Sequence, residues 1–139
     1  MTSYLLDTNV ISETRKKKPH VGVLAWIAHL KPEQIFLSAV TIGELQQGVE
    51  ITREQDPEKA EEIEAWIAPI EASSSILSMD CRCFREYARL IHGASDTLSE
   101  DAMIAGTARV HGLTVATRNE RDFAHFRVAV FNPFKYRTS

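Results

Sequence analysis

The chain has 139 residues, 44% of them hydrophobic and 25% charged, and a formal net charge of -3. That composition excludes collagen-like, low-complexity and disulfide-stapled classes, and the length is enough to bury a real core, so one domain over residues 1–139 is expected. The negative balance argues against a protein that merely coats nucleic acid, an argument that weakens if several acids are gathered at one site.

No apolar run reaches the length of a membrane span. The start, Met1-Thr2-Ser3-Tyr4, lacks the basic and apolar stretches of a signal peptide, so a cytoplasmic protein is expected. Cys81 and Cys83 sit too close together for a disulfide framework and lack the companions of a zinc site. His20, His29, His92, His111 and His125 are scattered, with no pair at ligand spacing.

Tyr4-Leu5-Leu6 is a short apolar run that ends in Asp7, and a helical pattern follows at once. Two readings are open for Asp7. It can cap the next helix by accepting free backbone N–H groups. It can also stand at the carboxyl end of a strand, where ligands bind in open α/β sheets. Asn9 to Lys17 reads as a short helix with Val10 and Ile11 buried. It runs into Arg15-Lys16-Lys17-Lys18-Pro19, where the proline stops it. The basic run suits a solvated helix end, or, on a second reading, phosphate contact.

Val21 to Leu30 is helical, with Val21, Leu24, Ile27 and Ala28 on one side. Trp26 falls off that stripe and is free to face a partner. Ile35-Phe36-Leu37 reads as a buried strand, followed at Ser38 by a helix holding Val40, Ile42, Leu45 and Val49. Glu44 lies one turn from Gly48 on the same face, leaving room for another backbone or a ligand.

Asp56-Pro57 opens a helix with an apolar stripe of Ala60, Ile63, Trp66, Ile67 and Ile70. Ile76-Leu77 is a strand, and Cys81 to Ile91 a helix with Phe84, Ala88 and Ile91 inward. Ser99-Glu100-Asp101 starts a helix whose small residues (Ala102, Ala105, Gly106, Ala108) imply deep burial, and Gly112 ends it as a left-handed cap. Thr114 to Thr117 is a strand, Arg118 to Asp122 a polar loop, and Val128 to Phe131 the last strand. Strands alternating with helices predict an α/β fold, a central parallel sheet flanked by helices on both faces.

Asp7, Glu44, Asp101 and the Thr117-Arg118-Asn119 segment with Asp122 then fall at one edge of that sheet. Each has a plainer reading: Glu44 as a solvated helical acid, Asp101 as a complement to the helix dipole, Asn119 and Asp122 as turn formers. If the four converge, their charge needs a partner, because two carboxylates about 4 Å apart repel by roughly 4 kcal/mol at an effective dielectric near 20. Raised pKa values or a bound cation relieve this, and an all-oxygen site favours Mg²⁺ or Mn²⁺. Such ions polarise a phosphoryl oxygen and activate water, the chemistry of phosphodiester hydrolysis.

The chain resembles the PIN-domain ribonucleases, especially the VapC-like and FitB-like toxins of bacterial toxin–antitoxin pairs. The resemblance rests on Leu5-Leu6-Asp7-Thr8-Asn9-Val10-Ile11-Ser12-Glu13, Leu37 to Leu45 with Gly48, Asp101 to Ala108, and Leu113 to Asn119, closed by Val130-Phe131-Asn132-Pro133-Phe134. It implies a metal-dependent endoribonuclease with Asp7, Glu44 and Asp101 as its acidic core, binding Mg²⁺ or Mn²⁺, and Thr8 and Thr117 as supporting hydroxyls. It also implies a homodimer and a cognate antitoxin whose other end binds operator DNA. The family's fourth acid often follows Thr-Arg directly, where this chain has Asn119, which can ligate through its carbonyl but brings no charge. In other members that acid comes just before a Phe, as Asp122 does here, and Asp122 is taken as the fourth acid. One rival is a scaffold on the same fold that acts with its antitoxin as a DNA-binding repressor. Another is a phosphatase using Asp7 as nucleophile, against which Asn9 counts, because such enzymes commonly carry a second acid there.

Overall fold

The computed structural model describes residues 1–137. Its five strands are β1 (Tyr4–Leu6), β2 (Ile35–Ser38), β3 (Ser75–Leu77), β4 (Thr114–Ala116) and β5 (Val130–Phe131). They pair in the order β3-β2-β1-β4-β5, every pairing parallel, so all carboxyl ends share one edge. The helices are α1 (Thr8–Glu13), α2 (Val21–His29), α3 (Ala39–Arg53), α4 (Pro57–Ser73), α5 (Cys81–Ile91), α6 (Ser99–His111) and α7 (Glu120–Phe123). None of the described helices is long and apolar enough to cross a membrane.

Alternation along the strands divides the core. Leu5 and Val115 point to one face, packed with Ala102, Ala105 and Ala108 of α6 and with Phe123 and Phe126. Leu6, Leu37 and Ala116 point to the other, packed with Val10 of α1 and with Val23 and Trp26 of α2. This is the period of two expected of a pleated strand, and burial on both faces explains why the strands are apolar apart from Ser38, Ser75 and Thr114 at their ends. A third cluster, Leu45, Val49, Ala60 and Ile67, holds α3 against α4. Gly112, at φ 67°, terminates α6 as a left-handed cap, as its place in the sequence indicated.

Four sequence expectations are corrected. On α2 the exposed residues are Val21, Leu24, Ala28 and His29, while Trp26 is 3% exposed, edge-on to Tyr4 at 4.9 Å and stacked on Phe131 at 5.3 Å. The helix is apolar nearly all round, so periodicity could not orient it, and the aromatic contacts do. On α5 the inward residues are Cys83, Tyr87, Leu90 and, as expected, Ile91, while Phe84 and Ala88 face outward. The cause lies on α6: Gly106 lets α5 approach so closely that a Cβ there would stand 3.0 Å from the Tyr87 backbone nitrogen. Helix α1 ends at Glu13, not Lys17, because the Thr14 hydroxyl donates to the Ile11 carbonyl at 2.7 Å and Glu13 turns inward to accept the His20 N–H at 2.9 Å. The Arg118 to Asp122 stretch contains the start of α7, a single turn too short to show a period.

Trp26→Ala is therefore expected to cost about 3–5 kcal/mol of stability, measured by urea unfolding, whereas Leu24→Ala should change it by less than about 0.5 kcal/mol. Equal small effects would mean that Trp26 does not anchor α2.

Candidate active site

Asp7 follows the central strand directly, and its N–H donates to the Ala116 carbonyl at 2.9 Å, extending the β1–β4 ladder by one residue. The carboxyl group is buried at 4% exposure. Three donors hold it: the Thr8 N–H at 2.8 Å on Oδ1, and the Thr117 hydroxyl at 2.8 Å and the Asn9 amide at 3.2 Å on Oδ2. Capping and site placement are thus not alternatives. The same carboxylate that caps α1 is fixed at the rim of the sheet.

Thr117 lies just beyond β4 and is fully buried. Its hydroxyl donates to Asp7 and accepts from the Asn119 N–H at 2.9 Å and the Asn9 amide at 3.3 Å. A hydroxyl has one proton to give and two lone pairs, so Thr117 is saturated. Asn9 completes the clasp by accepting the Arg118 N–H at 3.1 Å. In the sequence Asn9 stands within a motif and counts against a phosphatase; its role in orienting Asp7 emerges only from the fold. Its position two residues after an acid at a helix start was the available signal.

Glu44 is carried by α3, whose N-terminus is capped by the Ser38 side chain accepting the Val40 N–H at 3.0 Å. The Thr8 hydroxyl donates to Glu44 Oε1 at 2.9 Å, and the buried Thr41 hydroxyl lies 3.4 Å from Thr8 Oγ1. This contact joins α1 to α3 and makes Glu44 a half-buried acid facing the Asp7 edge rather than a solvated one. Asp101, in the first turn of α6, and Asp122, on α7, are also half-buried.

The acids feel one another. Burial, followed by repulsion from Asp7, Glu100 and Asp101, pushes the Glu44 carboxyl up to about 7, although the Thr8 hydrogen bond opposes the shift. Burial, followed by repulsion from Asp7, Asp122 and Glu100, pushes Asp101 up to about 6. Asp7 is raised by burial, against the pull of its bonds from Thr117, Thr8 and Asn9. The structure thus brings Asp7, Glu44, Asp101 and Asp122 into one field, and adds the exposed Glu100, which sequence reasoning passed over as a helix-start residue. Asn119 is exposed and turns its backbone N–H toward Thr117.

None of the four acids forms an ion pair among the described residues; the pairs that exist engage Glu13, Glu50, Glu64, Glu86 and Glu120. Nor do any three acid, histidine or cysteine side chains there stand close enough to enclose an ion as placed. The donor set is all oxygen, charge-rich and uncompensated, which is chemically suited to a hard divalent cation. Of the basic run, Lys16 pairs with Glu13 at 2.9 Å, while Arg15 lies over the Trp66 ring at 6.0 Å and lines one cleft together with Thr8 and Glu44.

A parallel α/β domain with acids from four separate segments along the carboxyl edge defines a class, and comparison with known proteins gives that class its family. The family model for the PIN domain matches residues 4–129, and the chain belongs to the PIN-domain family. It is 39% identical over 137 residues to Toxin FitB of Neisseria gonorrhoeae, covering 94% of this chain and 97% of that one. It is 34% identical over 137 residues to VapC ribonuclease Y4jK of Sinorhizobium fredii, again covering 94% and 97%. Among solved structures, that of FitAB bound to an IR36 DNA fragment superposes with a TM-score of 0.79 at 35% identity, covering 97% of this chain and 98% of that one.

The raised acids dictate a pH dependence without divalent ions. Between the ordinary value of 4.5 and about 7, the folded chain holds a proton on Glu44 that the unfolded chain has lost, and Asp101 does the same between 3.8 and about 6. Stability therefore falls as pH rises through these windows and is lowest above them. Urea midpoints measured from pH 4 to 8 in a chelator should decline, and Glu44→Gln should flatten the upper part of the decline. A midpoint that rises from pH 5 to 8 would contradict the site's electrostatics.

Proposed function

We propose that this protein is a divalent-metal-dependent endoribonuclease, the toxin of a toxin–antitoxin pair. The observation that carries the reading is the set of mutually repelling, partly buried acids, none of them ion-paired among the described residues, on a PIN fold. A relative named as a VapC ribonuclease, matched over nearly its whole length, supports RNA as the substrate.

Asp7, Asp101, Glu44 and Asp122 would hold Mg²⁺ or Mn²⁺. Bound there, the ion supplies a polarised phosphoryl oxygen and a water of lowered pKa. The chain's own residues do the rest. Asp7, fixed by Thr8, Asn9 and Thr117, cannot swing away from the edge, so its orientation is set before substrate arrives. Glu44 Oε1 is occupied by the Thr8 hydroxyl, which leaves Oε2 to take a proton from water. Asp122, which contributes to the repulsion on Asp101, serves as the fourth acid, and Asn119 serves as a backbone donor to Thr117.

The FitAB–DNA assembly favours a cognate antitoxin for this chain as well, with operator DNA reached through that antitoxin and the toxin present as a homodimer. The same assembly is the observation behind a second reading, a catalytically silent scaffold in a repressor complex.

Asp7→Asn and Asp101→Asn are each expected to abolish cleavage of RNA by the antitoxin-free protein while leaving its circular dichroism unchanged. Chelation should do the same, with Mg²⁺ or Mn²⁺ restoring activity. Full cleavage by either mutant, or in chelator, would end the metal-site reading, and a wild type that neither cuts RNA nor arrests growth would favour the scaffold. To assign the fourth acid, Asp122→Asn should slow cleavage by about 10–100-fold and Asn119→Ala by much less. The reverse order would give the position to Asn119.

A further inference from the structure

One cavity lies away from the acidic edge. It is a cleft of about 560 Å³ on the outer face of α5 and α6, lined by Arg82, Arg85, Glu86, Arg89, Arg109 and Val110. A second cleft of about 360 Å³ shares Glu86, Arg89 and Arg109 with it and adds Arg127 with His92 and His125. Together they gather five arginines against one lining acid, on a chain whose net charge is -3. Glu86 is already engaged, pairing with Arg109 at 2.7 Å and Arg89 at 3.2 Å. The Arg109 guanidinium is further fixed by donating to the Arg127 carbonyl. Arg82 and Arg85 form no hydrogen bond or ion pair among the described residues.

We propose that this cleft binds the sugar–phosphate backbone of RNA at a distance from the bond being cut. Arg82, Arg85 and Arg89 fall at i, i+3 and i+7 on one face of α5 and span about 10 Å of helix axis. A nucleic-acid strand carries roughly one phosphate per 3.4 Å, so about three phosphates match three guanidinium groups. Arginine, with its planar fork of donors, suits phosphate better than a point charge does. Val110 is the one apolar side chain lining the larger cleft, which leaves little to anchor an acidic peptide. Asp101 and Arg109 are separated by eight residues of α6, about 12 Å along its axis, roughly the span of three to four nucleotides, so a dinucleotide cut at the acidic edge cannot reach the cleft but a longer RNA can. The inference rests on the ribonuclease reading only for the choice of RNA.

The test uses the full chain in chelator, so that binding is read without cleavage, with a fluorescein-labelled 20-nucleotide RNA hairpin followed by anisotropy. Arg82→Gln/Arg85→Gln/Arg89→Gln should weaken binding about tenfold and lower the slope of log Kd against log salt by about two to three. With Mg²⁺ restored, cleavage of a dinucleotide, too short to span from the acidic edge to the cleft, should be unchanged. An equal loss on a DNA hairpin supports the proposal too, since it shows that the cleft reads phosphate. Wild-type affinity and salt slope in the triple variant would overturn it, as would displacement of the RNA by poly-glutamate at equal charge. A wild type that binds through these arginines but never cleaves would sink the ribonuclease reading and leave the cleft standing.

Discussion

One buried carboxylate constrains the rest of the molecule. Asp7 follows the central strand, in a place where water is scarce and other acids are near, and no cationic side chain among the described residues pairs with it. Its charge is tolerable only because three donors converge on it, and those donors come from opposite ends of the chain. Thr8 and Asn9 are local, whereas Thr117 is reached only when β4 lies beside β1. The sheet order follows from that need as much as from hydrophobic pairing, since β1 sits in the middle with β2 and β4 on its two sides.

The apolar layers turn this constraint into a site. Leu5 and Leu6, facing opposite ways, anchor the strand from both sides, so the residue after them has little freedom. Helix α6, small-sided and deeply buried, brings Asp101 to the same rim from above the sheet, and α3 brings Glu44 from beside it. The resulting repulsion works against folding, and burial of the core has to outweigh it. Residues selected for stability alone would not be arranged this way, and such conflict between local cost and global fold is characteristic of functional sites.

Much of this was legible in the sequence where the signal was local and chemical. A short apolar run ending in an acid marked β1 and Asp7, Pro57 marked the start of α4, and Gly112 marked the end of α6. Helix orientation was harder to read. Residues 21–30 are apolar on nearly every side, so only the packing of Trp26 on Tyr4 and Phe131, far away in sequence, decides which side goes in. In α5, two stripes compete, and Gly106 on another helix selects between them. Asn9 and Glu100 escaped notice because their roles depend on neighbours more than fifty residues distant.

The placement of β1 between β2 and β4 has a bearing on how the chain leaves the ribosome. Its first strand is synthesised early and finds β2 some thirty residues later, yet its other flank stays bare until residues 114–116 emerge. Until then Asp7 lacks Thr117, and the rim lacks Asp122. A growing polypeptide therefore carries the first acids of the rim without their assembly, which is complete only once residues 114–122 have been made.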